Sequence, residues 1–71
     1  MEPFSMTHGT QVKVFHTEDD GTTLVTTTTD TAHPERPPHV GYEQCENESE
    51  VEAVLQKFVF DLERRGWQAQ A

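Results

Sequence analysis

The chain has 71 residues, 32% of them hydrophobic, and a formal net charge of −8 from 13 acidic and five basic residues. A chain of this length forms one domain and buries only about 60% of its unfolded surface, so its core is marginal and is expected to lean on oligomerisation or a partner. The charge argues against direct binding to nucleic acid or to an anionic membrane surface, because both repel carboxylates.

Residues 1–9 show no periodicity and read as a flexible N-terminal tail in which Phe4 and Met6 are the groups able to pack. Residues 10–71 are expected to form a single small α+β domain. Thr10 to His16 sets Val12, Val14 and His16 against Lys13 and Phe15, the alternation of a strand with a mixed second face. Asp20-Gly21 then marks a hairpin turn, since glycine supplies the positive φ that the turn demands. Thr22 to Thr31 is the second strand. Its run Thr26-Thr27-Thr28-Thr29 favours the pleat through β-branching, buries little, and suits a solvent-facing edge. Ala32 to Pro38 carries Pro34, Pro37 and Pro38 and reads as an extended connection. The alternation over 39–45, with Val40 and Tyr42 on one face, admits a third, short strand.

Ser49 to Gly66 is the strongest element. Ser49 and Glu52 have the spacing of a capping box, Arg64 and Arg65 suit the carboxyl end of the macrodipole, and Gly66 offers a left-handed terminus. Val51, Leu55, Phe58 and Leu62, flanked by Val54 and Val59, make one apolar stripe. Phe60 lies nearly opposite, on the side of Ala53 and, were the helix to continue, of Trp67. The expected architecture is β-β-(β)-α: an antiparallel hairpin, the short strand over 39–45, and a C-terminal amphipathic helix packed on the sheet.

The chemistry-bearing residues are sparse. His33, His39 and Cys45 recur at six-residue intervals and are the only candidate metal ligands, but zinc sites favour tighter pairs and a tetrahedral convergence. No cofactor is expected. Cys45 is the only cysteine, which excludes an internal disulfide. Its neighbours Glu43, Glu46 and Glu48 oppose thiolate formation and so a nucleophilic role. Glu18-Asp19-Asp20-Gly21 lacks the distal carboxylate of a calcium loop. No nucleophile–base arrangement stands out, and no catalytic activity is expected.

The composition, with ten threonines and only two lysines, resembles that of proteins adapted to high salt. With no leader-like apolar stretch and no membrane-length span, a cytoplasmic setting is expected. The leading expectation for function is a non-catalytic interaction or regulatory module. It would act as a homodimer and contact another protein through Phe60 and Trp67, helped by Ala53 and Arg64, with Glu46, Glu48, Glu50 and Glu52 as an acidic rim. One alternative is an acidic inhibitor that mimics nucleic acid towards a basic protein; a second is a small metal-binding protein.

Overall fold

The computed structural model describes residues 2–70, so the first residue of the expected tail and the last of the expected domain lie outside the described residues. Along the chain come β1 (Phe4–His8), β2 (Gln11–Glu18), β3 (Thr23–Asp30), β4 (His39–Gln44), α1 (Glu48–Arg64) and β5 (Gln68–Ala69). The strands form one antiparallel sheet in the order β4-β3-β2-β1-β5. This is the α+β arrangement expected, with the third strand present as β4 and two further strands added at the opposite edge. The first four strands meander. The helix then crosses one face of the sheet and delivers β5 to β1.

The hairpin expected at Asp20-Gly21 joins β2 to β3. Glu18 pairs with Thr23, and Asp19, Asp20 and Gly21 between them have φ of 54°, 56° and 88°. Aspartate tolerates this left-handed region better than most residues. Here Asp19 is also tied down by side chains: Thr22 Oγ1 donates to its carbonyl at 2.7 Å and Thr23 Oγ1 to its carboxylate at 2.8 Å.

Three expectations are corrected. The supposed tail contains β1, paired along its whole length with β2. Alternation turns three of the five strand residues inward: Phe4, Met6 and His8, of which Phe4 and Met6 are apolar and Met6 is fully buried. So short a pattern shows no period when read alone. The threonine-rich strand, in turn, is not an edge, because β3 lies between β2 and β4. Thr28 faces the helix side and accepts a hydrogen bond from Lys13 Nζ at 2.9 Å. The β-branched residue fits an interior ladder, half-buried in an open depression that Phe58 and Leu62 of the helix border. Finally, the helix begins two residues earlier than the capping-box reading placed it. Asn47 is the N-cap, its Oδ1 accepting from the Glu50 amide at 2.9 Å. Both Asn47 and Ser49 can cap, and the earlier start gains two helical residues.

The core lies between helix and sheet and consists of Met6, Phe15, Leu24, Val51 and Leu62, with Phe4, Cys45, Val54, Leu55, Val59 and Trp67 packed around it. Alternation places Val12, Val14, Val25, Val40 and Tyr42 on the other face, which the helix does not cover. Val25 is nonetheless 98% buried there, between His16 and Tyr42 on the flanking strands. At the foot of β3, Asp30 accepts from Thr10 Oγ1 at 2.7 Å and from the Ala32 amide at 3.0 Å, and these bonds hold its carboxyl below the usual aspartate range.

Two stability outcomes follow from these placements. Met6→Ala lowers unfolding free energy by about 2–5 kcal/mol in urea denaturation, whereas a substitution in a free tail would leave the midpoint unmoved. Asn47→Ala costs about 1 kcal/mol in the same assay, while Ser49→Ala, now inside the helix, changes stability by less than about 0.5 kcal/mol.

Candidate interaction site

Phe60 stands on the outer side of α1 and is 65% exposed. The Arg64 guanidinium lies over its ring, 5.8 Å from the centroid, one helical turn on. Ala53, two turns before, is exposed on the same side. Next to the ring an open depression is lined by Phe4, Leu55, Gln56, Val59, Phe60 and Glu63. Phe60 is therefore the raised end of a wider apolar surface that runs down to β1.

Trp67 does not belong to that surface. The helix ends in a Schellman turn: Gly66 has φ of 98°, its amide donates to the Glu63 carbonyl at 3.1 Å, and the Trp67 amide donates to the Leu62 carbonyl at 3.0 Å. The chain reverses there, and Trp67 packs on the core beside Leu62. Its ring stacks on His8 at 5.4 Å between centroids and lies 5.2 Å from Lys13 Nζ. A helix continued past Gly66 would have kept Trp67 with Phe60; the positive φ of Gly66 separates them.

The carboxylates expected as a rim also sit elsewhere. Glu48, Glu50 and Glu52 occupy the first turns of α1, and Phe60 is about 12 Å further along the axis than Glu52. Glu50 and Glu52 each lie about 80° around the helix from Phe60, on opposite flanks, and Glu63 is the acid beside the ring. Glu46 and the helix start instead approach the β2–β3 loop. Glu48 Oε1 lies 2.8 Å from where a Cβ on Gly21 would stand, and the Cys45 amide donates to the Thr22 carbonyl at 2.8 Å. Glu18, Asp19, Asp20, Glu43, Glu46, Glu48, Glu50 and Glu52 thus gather at one pole. The basic residues belong to other stretches: Lys13 to β2 beside Trp67, Arg36 to the β3–β4 connection, and Lys57, Arg64 and Arg65 to the later turns and end of α1.

His33, His39 and Cys45 do not converge. His33 sits in the connection, where its Nδ1 is 3.2 Å from Glu35 Oε1. His39 opens β4 and Cys45 follows its end, about 20 Å apart at 3.3 Å per strand residue. Among the described residues no group of three His, Cys, Asp or Glu side chains is placed to hold a metal ion. The half-buried Cys45 thiol is pushed above its ordinary pKa by loss of water contact, then by Glu50 and Glu43. That disfavours the thiolate that nucleophilic chemistry needs. Among the described residues no helix is long and apolar enough to cross a membrane.

No protein-family model, curated protein or solved structure matches the chain. The site is therefore read from geometry. That geometry adds groups that the sequence reading passed over. Phe4, Leu55 and Val59 complete the Phe60 surface. Val40 and Tyr42 are 41% and 64% exposed on β4, which among the described residues has a neighbouring strand on one side only. The period-two placing of Val40 and Tyr42 was visible as a strand signal but carried no hint that the strand would be an edge.

The thiol environment gives a direct check. At pH 8 Cys45 is alkylated more slowly than the cysteine of an unstructured peptide, and the difference disappears in denaturant. Equal rates in the folded state would refute the raised pKa.

Proposed function

We propose that the chain is a non-catalytic protein-interaction module, acting as a homodimer, whose Phe60 surface anchors another protein. The observation that carries this reading is the exposed Phe60 ring, ordered by Arg64 and set beside an open apolar depression. A large aromatic on the outer side of a helix contributes nothing to its own core, while a ring adjoining a cleft is the usual form of an interface anchor. The lining changes the character of the expected rim. Arg64 and Glu63 flank the ring with opposite charges, so the surface suits a partner with an apolar anchor and mixed polar surroundings.

The acidic pole supports a second reading, that of an acidic protein occupying a basic groove. Eight carboxylates lie together there with the basic residues in other stretches of the chain, a segregation that favours long-range attraction to a cationic surface. The two readings respond oppositely to salt. Attraction through the pole weakens as the Debye length shrinks from about 10 Å at 0.1 M to about 3 Å at 1 M, whereas apolar anchoring persists.

The deciding experiment is affinity capture from the source cell with wild-type and Phe60→Ala baits, followed by binding measurements on the purified partner. Phe60→Ala leaves the unfolding midpoint within about 0.5 kcal/mol of wild type and weakens partner binding by about 2 kcal/mol or more. Binding that survives Phe60→Ala unchanged but is abolished by high salt rejects the anchor and selects the acidic pole.

A further inference from the structure

The geometry points to the β4 edge as the seam of the homodimer: two copies pair antiparallel through β4, with Gly41 on the two-fold axis. The inference rests on the dimeric module proposed above and names the surface that makes the dimer. It begins from backbone direction. The Cys45 amide bonds to Thr22 across the β3–β4 ladder, so the odd-numbered residues of β4 spend their amides and carbonyls on β3. Val40, Tyr42 and Gln44 therefore turn theirs outward, since the two sets alternate along an antiparallel strand. Of the usual protections of an edge the strand carries only Glu43, an acid on the helix side. His39-Val40-Gly41-Tyr42-Glu43-Gln44 contains no Pro, no Lys and no Arg.

The sequence of β4 is complementary to itself in one register. With Gly41 opposite Gly41 of the second copy, Val40 pairs with Tyr42 and His39 with Glu43, twice each by symmetry. The Val40–Tyr42 pairs are the ones whose outward backbone groups exchange hydrogen bonds, and their exposed side chains meet on the face that the helix leaves open. The His39–Glu43 pairs fall in the close-approach positions, about 4.5 Å between Cα atoms, on the helix side. An imidazole opposite a carboxylate is favourable there, while like charges would be destabilising.

One oddity of the single chain is explained by this seam. Phe58 is on the core stripe of the helix yet 38% exposed. It overhangs a trough floored by Thr26 and Gly41, where a Cβ on Gly41 would touch nothing within 4 Å. Pairing at Gly41 places the two troughs side by side, so that the overhanging rings of both copies close a shared one. On the other face, the row Val14–Thr27–Val40 of one copy continues into Tyr42–Val25–His16 of the other. The sheet becomes continuous across ten strands.

Sedimentation equilibrium of the whole chain tests the seam first, with the expected mass twice the 8.1 kDa of one chain. Tyr42→Pro removes an amide that points away from β3, so it leaves the fold intact by circular dichroism and yields a monomer. His39→Glu weakens dimerisation about tenfold, and the double swap His39→Glu with Glu43→His restores it. Independently of stability effects, Gly41→Cys in a Cys45→Ser background forms an intermolecular disulfide under mild oxidation, because only the axial position faces itself at bridging distance. Cysteines at 39 or 60 in the same background do not cross-link. A monomeric wild type, a dimer indifferent to Tyr42→Pro, or cross-linking strongest at a position other than 41 overturns the seam. If partner capture through Phe60 persists in such a case, the interaction reading stands without this dimer. If the seam holds while Phe60→Ala changes nothing, the anchor alone fails.

Discussion

One helix must cover a five-stranded sheet, and it cannot. Its buried contacts, Val51 near the start and Leu62 near the end, meet Leu24, Phe15 and Met6, which lie on successive strands from β3 to β1. That diagonal is the buried centre of the core between helix and sheet. A helix contributes a stripe roughly 10 Å wide, whereas five strands span about four spacings of 4.8 Å. The helix side over the foot of β3 and β4 is therefore left thin, and the opposite face bare. The exposed apolar groups described above lie on these margins or on the outer side of the helix. They are consequences of the ratio of helix to sheet in so short a chain.

The end of the helix settles how that limited cover is distributed. Gly66 stops α1 while Leu62 is still over the sheet, and the Schellman hydrogen bonds turn the chain so that Trp67 closes the core beside His8 and Lys13. β5 then pairs with β1 through Met6 and Thr7, which guards the β1 edge with a two-residue strand. Among the described residues no corresponding segment guards β4. The asymmetry of the two edges thus traces to a single residue able to adopt a positive φ at the helix terminus. The same turn commits Trp67 to stability and leaves Phe60 free for another use.

Much of this was legible in the residues. The 3.6-residue stripe of α1, the Asp-Gly turn and the alternation of β4 are local signals, and each reappears in the structure. Phe60 opposite the stripe needed only the helical angle. The signals that misled were those whose meaning depends on what lies across the sheet. A threonine run is compatible with an edge or with an interior strand under no cover, and only the strand order distinguishes them. Phe4 and Met6 are two apolar residues in a nonapeptide until β2 is set beside them. Asn47 and Ser49 are equally competent caps, and the choice is made by where the chain leaves β4. The grouping of carboxylates from the β2–β3 loop, β4 and α1 into one pole was likewise hidden, because those segments are far apart in sequence, from Glu18 to Glu52.

The acidity and the apolar margins bear on each other. Two copies carrying −8 each repel at long range, and self-association has to overcome that repulsion before any strand pair forms. The segregation of charge moderates the cost: the helix end that bears Lys57, Arg64 and Arg65 is not acidic overall, and the middle of β4 carries no formal charge between His39 and Glu43. Salt removes most of what remains. At molar ionic strength the field of the pole decays within about 3 Å, while apolar burial is undiminished or strengthened by excluded salts. The acidic composition and the proposed self-association are therefore compatible in one chain at high ionic strength, because salt screens the carboxylates.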